Sequence, residues 1–246
     1  MKTSWRCRQG VARLPDWEQR FGVLAAVTSR VGGDMKDPRR FARGLRSMGL
    51  SPDCWAGGQQ VHGRRIASVA QPTPVEKQNT DGLVTRSPAL TLRVFTADCV
   101  PVFLVDPRRR AIGLVHAGRR GVRKGIVAAA VAALGRRYQS RPGDLHVSLG
   151  PHIRKCCYEV GPEVAREFHR EPGAVSRRAG TSKGKTTLNL AAVILEQARR
   201  AGVRPSRMTA APWCTACDRR FYSFRRERTE RRQAALLCVR SEFITE

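Results

Sequence analysis

The sequence predicts a single α/β domain in which layers of mixed β-sheet are flanked by helices. Apolar runs of strand length recur along the chain, and between them lie segments whose apolar residues repeat at helical spacing. The chain has 246 residues, of which 41% are hydrophobic, so it can bury a substantial core. We find no internal repeat and no compelling domain boundary. We therefore assign residues 1–20 to an N-terminal segment and residues 21–246 to the domain.

The first half of the chain is dominated by predicted strands. The run FGVLAAVTS, residues 21–29, is typical of a buried strand, and a Gly-Gly pair then turns the chain toward a short helix over residues 38–48. An Asp-Pro turn at residues 106–107 separates the last two strands of this half. The apolar runs predict four strands after the helix, over residues 64–69, 90–96, 102–105 and 111–116.

The second half alternates helices with strands. Between residues 121 and 138 the apolar positions recur at helical spacing with Arg and Lys on the opposite face, which predicts a helix laid on a sheet. Residues 171–185 are poor in apolar side chains and are interpreted as a mobile surface loop. The remaining patterns predict helices over residues 162–170 and 190–201, and strands over residues 145–149, 208–211 and 234–239.

The chain is strongly basic, since 46 Lys and Arg residues against 20 Asp and Glu residues give a formal net charge of +26. Nonspecific binding of polyanions is therefore expected. The arginines are scattered in short clusters, which favours a solvated surface over a binding stripe. One basic run, residues 219–232, contains three aromatic residues, Phe221, Tyr222 and Phe224. A nucleic-acid-binding protein that stacks these rings on bases is an alternative, although no recognition motif accompanies the run.

Eight cysteines in a chain of this length are too few for a disulfide-rich secreted protein, so we expect reduced thiols. The sequence contains no apolar run of signal-peptide or membrane-spanning length near its start or elsewhere. We expect a cytoplasmic monomer without a membrane segment. Cys214 and Cys217 form half of a structural zinc pattern, but the adjacent Cys156 and Cys157 are a poor second half. Buried thiols are the expected state of these four residues.

Three candidate metal ligands stand at predicted strand ends or in tight loops: His62, Cys99 and His116. Two imidazoles and one thiolate suit zinc, and a site with three protein ligands keeps a fourth position open for water or substrate. The separations of 37 and 17 residues exclude a compact zinc finger, so the fold must bring the ligands together. We therefore predict a catalytic metal site. A hydrolase with Cys99 as nucleophile and His116 as base is a second reading of the same residues.

The loop AGRRG, residues 117–121, lies between His116 and the predicted long helix. Its glycines allow the backbone to approach a ligand closely. Free amides at a helix N-terminus beside two guanidiniums favour an anion. The loop is therefore a candidate phosphate site next to the metal, with a plain strand-to-helix turn as the alternative.

Six blocks of the sequence occur in the order expected of one enzyme family. They are QVHG, DGLVT, TADCVPVFL, HAGRRG, GPHIRKCCYEVG and FYSFRRE, which together span residues 60–227. On these blocks the chain resembles the YfiH/laccase-domain family of purine nucleoside phosphorylases. The resemblance implies a single α/β domain and a zinc ion held by His62, Cys99 and His116.

The activity that the resemblance implies is phosphorolysis of adenosine, inosine and methylthioadenosine to the free base and a ribose 1-phosphate. Deamination of adenosine is implied as a second reaction, in which water activated by zinc would attack C6 of the purine. Zinc is thus the expected cofactor, and purine nucleosides and phosphate are the expected partners. The substrate-binding residues implied in four of the blocks are Gln60, Asp98, Arg120 and Arg226.

The chain departs from the family pattern at three positions. Arg119 stands where the family usually has Trp, Glu230 where it has Gly before an Arg, and Asn189 where it has an acid. The three metal ligands are intact. The departures therefore concern substrate preference and the shape of the pocket mouth more than the metal.

An older label of the family is polyphenol oxidase, or laccase, and two histidines with one cysteine also form a copper-like ligand set. A copper oxidase is therefore a further alternative. The histidine count argues against it. Once the ligands are assigned, the chain retains only His146, His152 and His169, which are too few imidazoles for an additional multicopper cluster.

Overall fold

The computed structural model describes residues 5–73, 75–177 and 186–240. Two six-stranded sheets pack face to face at the centre of the molecule, and helices cover their outer faces. The central strands are buried on both sides, which is why they read as continuous apolar runs rather than as alternating patterns. The predicted α/β class, with mixed sheets flanked by helices, is confirmed.

The strands are short and lie close to the predicted apolar runs. In chain order they are β1 Arg6–Arg8, β2 Val11–Arg13, β3 Val23–Thr28, β4 Trp55–Gly57, β5 Ile66–Ser68, β6 Gly82–Thr85, β7 Thr91–Thr96, β8 Val100–Asp106, β9 Ala111–Ala117, β10 His146–Leu149, β11 Glu159–Val160, β12 Val175–Arg177, β13 Thr186–Leu188, β14 Met208–Ala210 and β15 Gln233–Val239. The α-helices are α1 Pro15–Phe21, α2 Pro38–Ser47, α3 Arg119–Arg123, α4 Ile126–Tyr138, α5 Pro162–Glu167, α6 Leu190–Arg200 and α7 Phe224–Glu227.

Both large sheets are mixed. The first has the order β1-β2-β3-β15-β7-β4 and is antiparallel except for β4, which runs parallel to β7. The second has the order β14-β10-β8-β9-β6-β5, with parallel pairs only at its two edges. A third, three-stranded sheet has the order β11-β13-β12. Strands β4, β7 and β9 finish at the same end of the sandwich, where the candidate site lies.

Three apolar clusters hold the layers together. Side chains between the two sheets, among them Leu92, Phe103 and Leu114, form the middle cluster. The outer face of the second sheet packs against α4 and α6, and the outer face of the first packs against α2. Helix α2 begins at Asp37, whose carboxylate accepts hydrogen bonds from the N–H groups of Arg39 and Arg40.

The N-terminal segment, separated above as residues 1–20, is packed into the domain over its described residues. Strands β1 and β2 extend the first sheet beyond β3. Trp17 of α1 is buried in the cluster between the sheets, and Trp5 Nε1 donates a hydrogen bond to Ser148 Oγ of β10 at 2.9 Å. These long-range contacts carried no signal in the local sequence pattern.

The helix predicted over residues 121–138 is two helices, α3 and α4. Gly125 between them has φ +79°, a left-handed conformation that interrupts the helix. The loop predicted over residues 171–185 also differs, because its residues Val175–Arg177 form β12 and pair with β13. Residues 178–185 of that loop lie outside the described part of the chain.

Candidate metal centre

A cavity of about 730 Å³ lies at the end of the sandwich where β4, β7 and β9 finish. It brings together the three predicted ligands, His62, Cys99 and His116. The rest of its lining includes apolar and aromatic side chains and several cations. The former are Phe95, Ile153, Tyr158, Leu190 and Phe224, and the latter are Lys36, Arg93, Arg119, Arg225 and Arg232.

His62 lies in the loop that follows β4, and one carboxylate shapes that loop. The backbone N–H groups of Val61, His62 and Gly63 donate to Asp81 over 3.2, 2.9 and 2.8 Å. These bonds hold His62 at φ +57°, a left-handed conformation that residues other than glycine seldom adopt. The imidazole is therefore presented by a constrained backbone, although the residue itself is exposed.

Cys99 lies in the tight turn between β7 and β8, and its neighbour Asp98 holds that turn. Asp98 has φ +92°, which requires support from its surroundings. Its carboxylate accepts hydrogen bonds from the Thr215 hydroxyl at 2.6 Å, the Ser223 hydroxyl at 3.0 Å and the Arg225 backbone N–H at 2.7 Å. Both oxygens of Asp98 are thus engaged by the protein, which fixes the turn that carries Cys99. Asp98 also lines the cavity, and its role in substrate binding stays a prediction.

His116 is at the end of β9 and is only 3% exposed. Its Nδ1 lies 3.0 Å from the Asp81 carboxylate, and its backbone N–H donates to the Asp81 carbonyl at 2.7 Å. With Nδ1 as the donor to Asp81, Nε2 is the ring nitrogen that can bind an ion, once it has released its own proton. Asp81 therefore orients both histidines. The sequence analysis assigned no role to Asp81, the first residue of DGLVT. An acid directly before a fully buried strand is the feature of the sequence that could have indicated its importance.

The half-buried thiol of Cys99 and the buried imidazole of His116 stabilise each other's charge. Burial opposes ionisation of the thiol, but the His116 charge and hydrogen bonds from both imidazoles outweigh it and lower the pKa of Cys99 to about 6. Burial likewise opposes protonation of His116, but Cys99 and Asp81 raise its pKa to about 9. Cys99 is therefore a thiolate at neutral pH, which is the form that binds metals and attacks electrophiles.

The donor set fits a metal ion. The ligand atoms of His62, Cys99 and His116 all lie within 4.8 Å of one another, and the two imidazole rings are inclined by 64°. Zinc accepts two nitrogens and one sulfur and keeps a fourth position for substrate or water. Within the described ranges, one other group of three or more His, Cys, Asp or Glu side chains converges in this way, and it consists of Cys156, Cys157, Cys214 and Cys217.

The glycines of the AGRRG loop are packed closely against the candidate ligands and the loop of His62. A Cβ on Gly118 would lie 2.5 Å from His62 Nδ1 and 3.1 Å from Cys99 Sγ. A Cβ on Gly121 would lie 2.7 Å from the Gly63 carbonyl oxygen. The segment that follows His116 and the loop that carries His62 can therefore meet only because Gly118 and Gly121 lack a side chain. Helix α3 has five residues, which is too short for a strong anion site at its start.

Of the four predicted substrate-binding residues, Gln60 and Asp98 line the cavity, whereas Arg120 and Arg226 do not. Arg120 is exposed on α3 and is absent from the cavity lining, whereas its neighbour Arg119 lines the cavity and pairs with Glu167 at 2.8 Å. Gln60 does line the cavity, but its side-chain amide is paired with the backbone N–H and carbonyl of Phe95 over 2.7 and 2.8 Å. Gln60 thus anchors the ligand loop to β7.

Arg226, also expected to bind substrate, is held by hydrogen bonds within the protein and ties two segments of the chain together. Its guanidinium donates to the backbone carbonyls of Thr215, Ala216 and Phe221 over 2.8, 3.0 and 2.7 Å. The cavity is lined instead by Arg225, whose guanidinium lies 5.2 Å from the centre of the Tyr158 ring. Adjacent arginines on a short helix point in different directions, and the sequence alone could not distinguish them.

The basic run over residues 219–232 does not present a stacking platform for bases. Phe221 and Tyr222 are buried, with 0% and 3% exposure, and only Phe224 is exposed. Its arginines at 220 and 226 form ion pairs with Asp218 and Glu227. Two of the three rings are therefore part of the core and cannot stack on bases, which removes most of the support for a nucleic-acid-binding protein.

The expectation of four buried thiols is wrong. Cys214 is buried, but Cys156 and Cys217 are exposed and Cys157 is half-buried. Their sulfur atoms lie together, within 4.8 Å of one another. Adjacent cysteines in an extended strand would point to opposite faces, but Cys156 and Cys157 lie in a turn that aims both at Cys217.

Comparisons with known proteins agree with this fold and site. The family model described as multi-copper polyphenol oxidoreductase laccase matches residues 30–240. A purine nucleoside phosphorylase of Corynebacterium glutamicum is 37% identical over 199 residues, which cover 79% of this chain and 78% of that protein. The solved structure of YlmD from Geobacillus stearothermophilus has a TM-score of 0.86 at 28% identity and covers 98% of this chain and 100% of its own. YfiH from Bacillus licheniformis also reaches 0.86, at 27% identity, over 96% and 99%.

The other three histidines lie apart from the centre. The ring of His146 packs on Phe21 at 4.8 Å, and the Nδ1 atoms of His152 and His169 lie within 2.7 Å of backbone carbonyls. None of the helices in the described ranges is long and apolar enough to cross a membrane.

Because the family model spans most of the sequence and the fold matches throughout, the chain belongs to the multi-copper polyphenol oxidoreductase laccase family, among whose members it resembles proteins named purine nucleoside phosphorylases.

Proposed function

We propose that the protein is a zinc-dependent purine nucleoside phosphorylase that acts on adenosine, inosine and methylthioadenosine and also deaminates adenosine. The observation that carries this proposal is the convergence of His62, Cys99 and His116 in a cavity that also holds aromatic rings and guanidiniums. A volume of about 730 Å³ is sufficient for a nucleoside together with phosphate. The names of the relatives support the reaction class.

The residues around the cavity divide into three roles. Tyr158, Phe224 and Leu190 offer apolar surface for the purine. Arg119 and Arg225 offer guanidinium donors for phosphate, and each has N–H groups beyond those used by its protein partners. His62, Cys99 and His116 would hold a zinc ion, which would supply a Lewis acid to a substrate in the cavity.

Phosphorolysis forms a bond between a phosphate oxygen and C1′ of the sugar while the bond from C1′ to N9 of the purine breaks. The electron pair of that bond leaves with the purine, which needs a proton or a hydrogen bond at a ring nitrogen. Burial raises the pKa of Tyr158, with the Cys99 charge adding to the rise, so the phenol is protonated at neutral pH. Tyr158 is therefore the candidate donor to the departing base.

Deamination of adenosine would replace the amino group at C6 with oxygen from water and release ammonia. It needs water rather than phosphate as the nucleophile, so phosphate separates the two reactions. With phosphate present, adenosine should yield adenine and ribose 1-phosphate. Without phosphate, adenine release should stop while slow formation of inosine continues.

Cys99→Ala tests whether both reactions depend on the centre. The variant should lose zinc and at least about 100-fold in both rates, because removing a ligand lowers metal affinity and disturbs the open position. Cys54→Ser is the matched control, since Cys54 belongs to neither group of converging ligands among the described residues. Adenine release that ignores phosphate would indicate a hydrolase, and oxygen-dependent oxidation of phenols would favour the laccase alternative.

Arg119 and Arg120 form a matched pair for the phosphate role. Arg119→Ala should raise the phosphate concentration at half-maximal rate about tenfold or more, because a hydrogen bond to a charged group contributes about 1.5–3 kcal/mol. Arg120→Ala should change it less than about twofold, since this side chain lies outside the cavity lining. Arg123→Ala controls for loss of the shared partner Glu167. An effect confined to Arg120→Ala would reverse this assignment.

A hydrolase that uses Cys99 as nucleophile is a second candidate, favoured by one observation. Cys99, His116 and Asp81 are linked in the order of a thiol, an imidazole and a carboxylate. A chelator separates the two readings. It should abolish phosphorolysis by a metal enzyme, whereas a thiol hydrolase would keep its activity and lose it to iodoacetamide instead.

A further inference from the structure

Four cysteines form a compact group outside the cavity. Cys156 and Cys157 lie in the turn before β11, and Cys214 and Cys217 lie in the loop between β14 and α7. All four sulfur atoms are within 4.8 Å of one another. Cys217 Sγ is 3.2 Å from Cys157 Sγ and 3.6 Å from Cys156 Sγ. The fold thus gathers four thiols from two segments about 60 residues apart.

The backbone around Cys214 is arranged to support a sulfur that carries negative charge. The N–H of Arg154 donates to Cys214 Sγ at 3.3 Å, and the N–H groups of Ala216 and Cys217 also point to this sulfur. The loop is held independently of the sulfurs, because the N–H of Thr215 donates to the His152 carbonyl at 3.0 Å. The sulfur positions therefore follow from the surrounding chain.

The charges nearby favour an anionic cluster. Four thiolates with one divalent cation carry a net charge of −2. The side chains of Arg154 and Arg226 both bind carbonyls of the same loop, at Pro212 and at Thr215 and Ala216. In a chain with a net charge of +26, a cluster of this sign reduces the local excess of positive charge. Four thiolates without a cation would instead repel one another.

We propose that Cys156, Cys157, Cys214 and Cys217 bind a second, structural zinc ion. A tetrahedral site with Zn–S bonds of about 2.3 Å places its sulfurs about 3.8 Å apart, which is close to the spacing in this group. Four protein ligands leave no open position, so the ion is structural rather than catalytic. A single disulfide would leave two of the converging thiols without a partner.

The structural zinc connects two segments of the chain that both contact the cavity. Tyr158, which lines the cavity, directly follows Cys157. Thr215, which lies between the other two ligands, donates its hydroxyl to Asp98 beside Cys99. The ion thereby ties the two segments that carry these contacts to each other, and its loss should loosen the turn that presents Cys99.

Zinc counting in purified protein tests the site. The natural chain should contain about two zinc ions, Cys99→Ala about one and Cys217→Ser about one, whereas the control Cys54→Ser should keep two. X-ray absorption of Cys99→Ala should show four sulfur atoms at about 2.3 Å from zinc. This measurement leaves the four cysteines intact, so it remains decisive if Cys217→Ser fails to fold.

Any one of several results would overturn the proposal. They are an unchanged zinc content in Cys217→Ser, a nitrogen- or oxygen-rich shell around the zinc that remains in Cys99→Ala, and a disulfide between Cys157 and Cys217 found by peptide mapping of unreduced protein. Iron in place of zinc would also reject it. These readouts do not depend on turnover of nucleosides, so the outcome is distinct from that of the proposed activity.

Discussion

Asp81 contacts two of the three candidate metal ligands and their loop through a single carboxylate. It accepts three backbone N–H groups from the loop of His62 and faces Nδ1 of His116. Burial tends to raise the pKa of Asp81, but His116 and the N–H of Gly63 outweigh it, so the pKa is lowered and the group is ionised. A buried carboxylate that orients metal-binding imidazoles is a frequent feature of metal sites, and its loss typically weakens metal binding.

Asp81→Asn should lower zinc affinity at the three-ligand centre by about 10–100-fold, because the amide cannot provide the same charge to His116 and the loop. Competition with a chelator measures this affinity directly. Asp106→Asn is the matched control, since Asp106 is a buried acid at the end of β8 that accepts the N–H groups of Arg108 and Arg109. Equal zinc loss in both variants would mean that general destabilisation, rather than orientation of His116, explains the effect.

At the scale of secondary-structure elements, the site depends on how the loops after β4 and β9 meet. Gly118 lies at the contact between them, against His62 and Cys99. A second glycine in this region, Gly125, is required for its backbone conformation rather than for close packing. Its φ of +79° breaks the helical segment into α3 and α4, and a Cβ there would meet nothing within 4 Å. Gly118 is therefore required because a side chain would not fit, and Gly125 because its backbone is left-handed.

Gly118→Ala should displace His62 or Cys99 and reduce zinc content and activity, since the added Cβ would lie 2.5 Å from His62 Nδ1. Gly125→Ala should keep both and lose about 1 kcal/mol of unfolding free energy, because a left-handed conformation is strained for alanine. Metal analysis and denaturant unfolding of the two variants check the pair. Normal zinc content in Gly118→Ala would show that the loops can separate without loss of the centre.

At the scale of the whole molecule, basic side chains surround groups that would gain charge in acid. His146 on β10 is half-buried near Arg20, Arg204 and Arg207, with Asp16 as the nearby acid. Burial, followed by the Arg207 and Arg20 charges, lowers the pKa of His146 to about 4. Below its ordinary pKa of 6.5 the unfolded chain therefore binds more protons than the folded chain does.

The sign of this difference predicts that stability falls as the pH decreases from about 6.5 to about 4. His146→Gln should reduce the slope of the unfolding free energy against pH in this range. The reduction should correspond to at most one fewer proton taken up on unfolding. Denaturant unfolding at several pH values measures the slope. Burial also lowers the pKa of His152 to about 4, so part of the slope should remain in the His146→Gln variant. An identical slope would show that His146 does not contribute.

Sequence pattern alone was sufficient for the fold class, most helices and strands, and the three candidate ligands. The reason is local: buried strands and amphipathic helices impose their own spacing on apolar residues, and a thiol or imidazole at a strand end is conspicuous among them. Ligand chemistry joined His62, Cys99 and His116 into one predicted site, and the family resemblance implied the same three residues. Their convergence within 4.8 Å agrees with that prediction.

Tertiary structure alone decided which neighbouring residues face the cavity. Arg119 rather than Arg120, and Arg225 rather than Arg226, line it, because a helical residue and its neighbour point about 100° apart and only packing sets the rotation. The same holds for Asp81, whose role arises from a contact across 19 to 35 residues. The four cysteines followed the same rule. A turn aimed two adjacent thiols at a distant pair, and no local pattern encodes a contact that depends on where two segments meet.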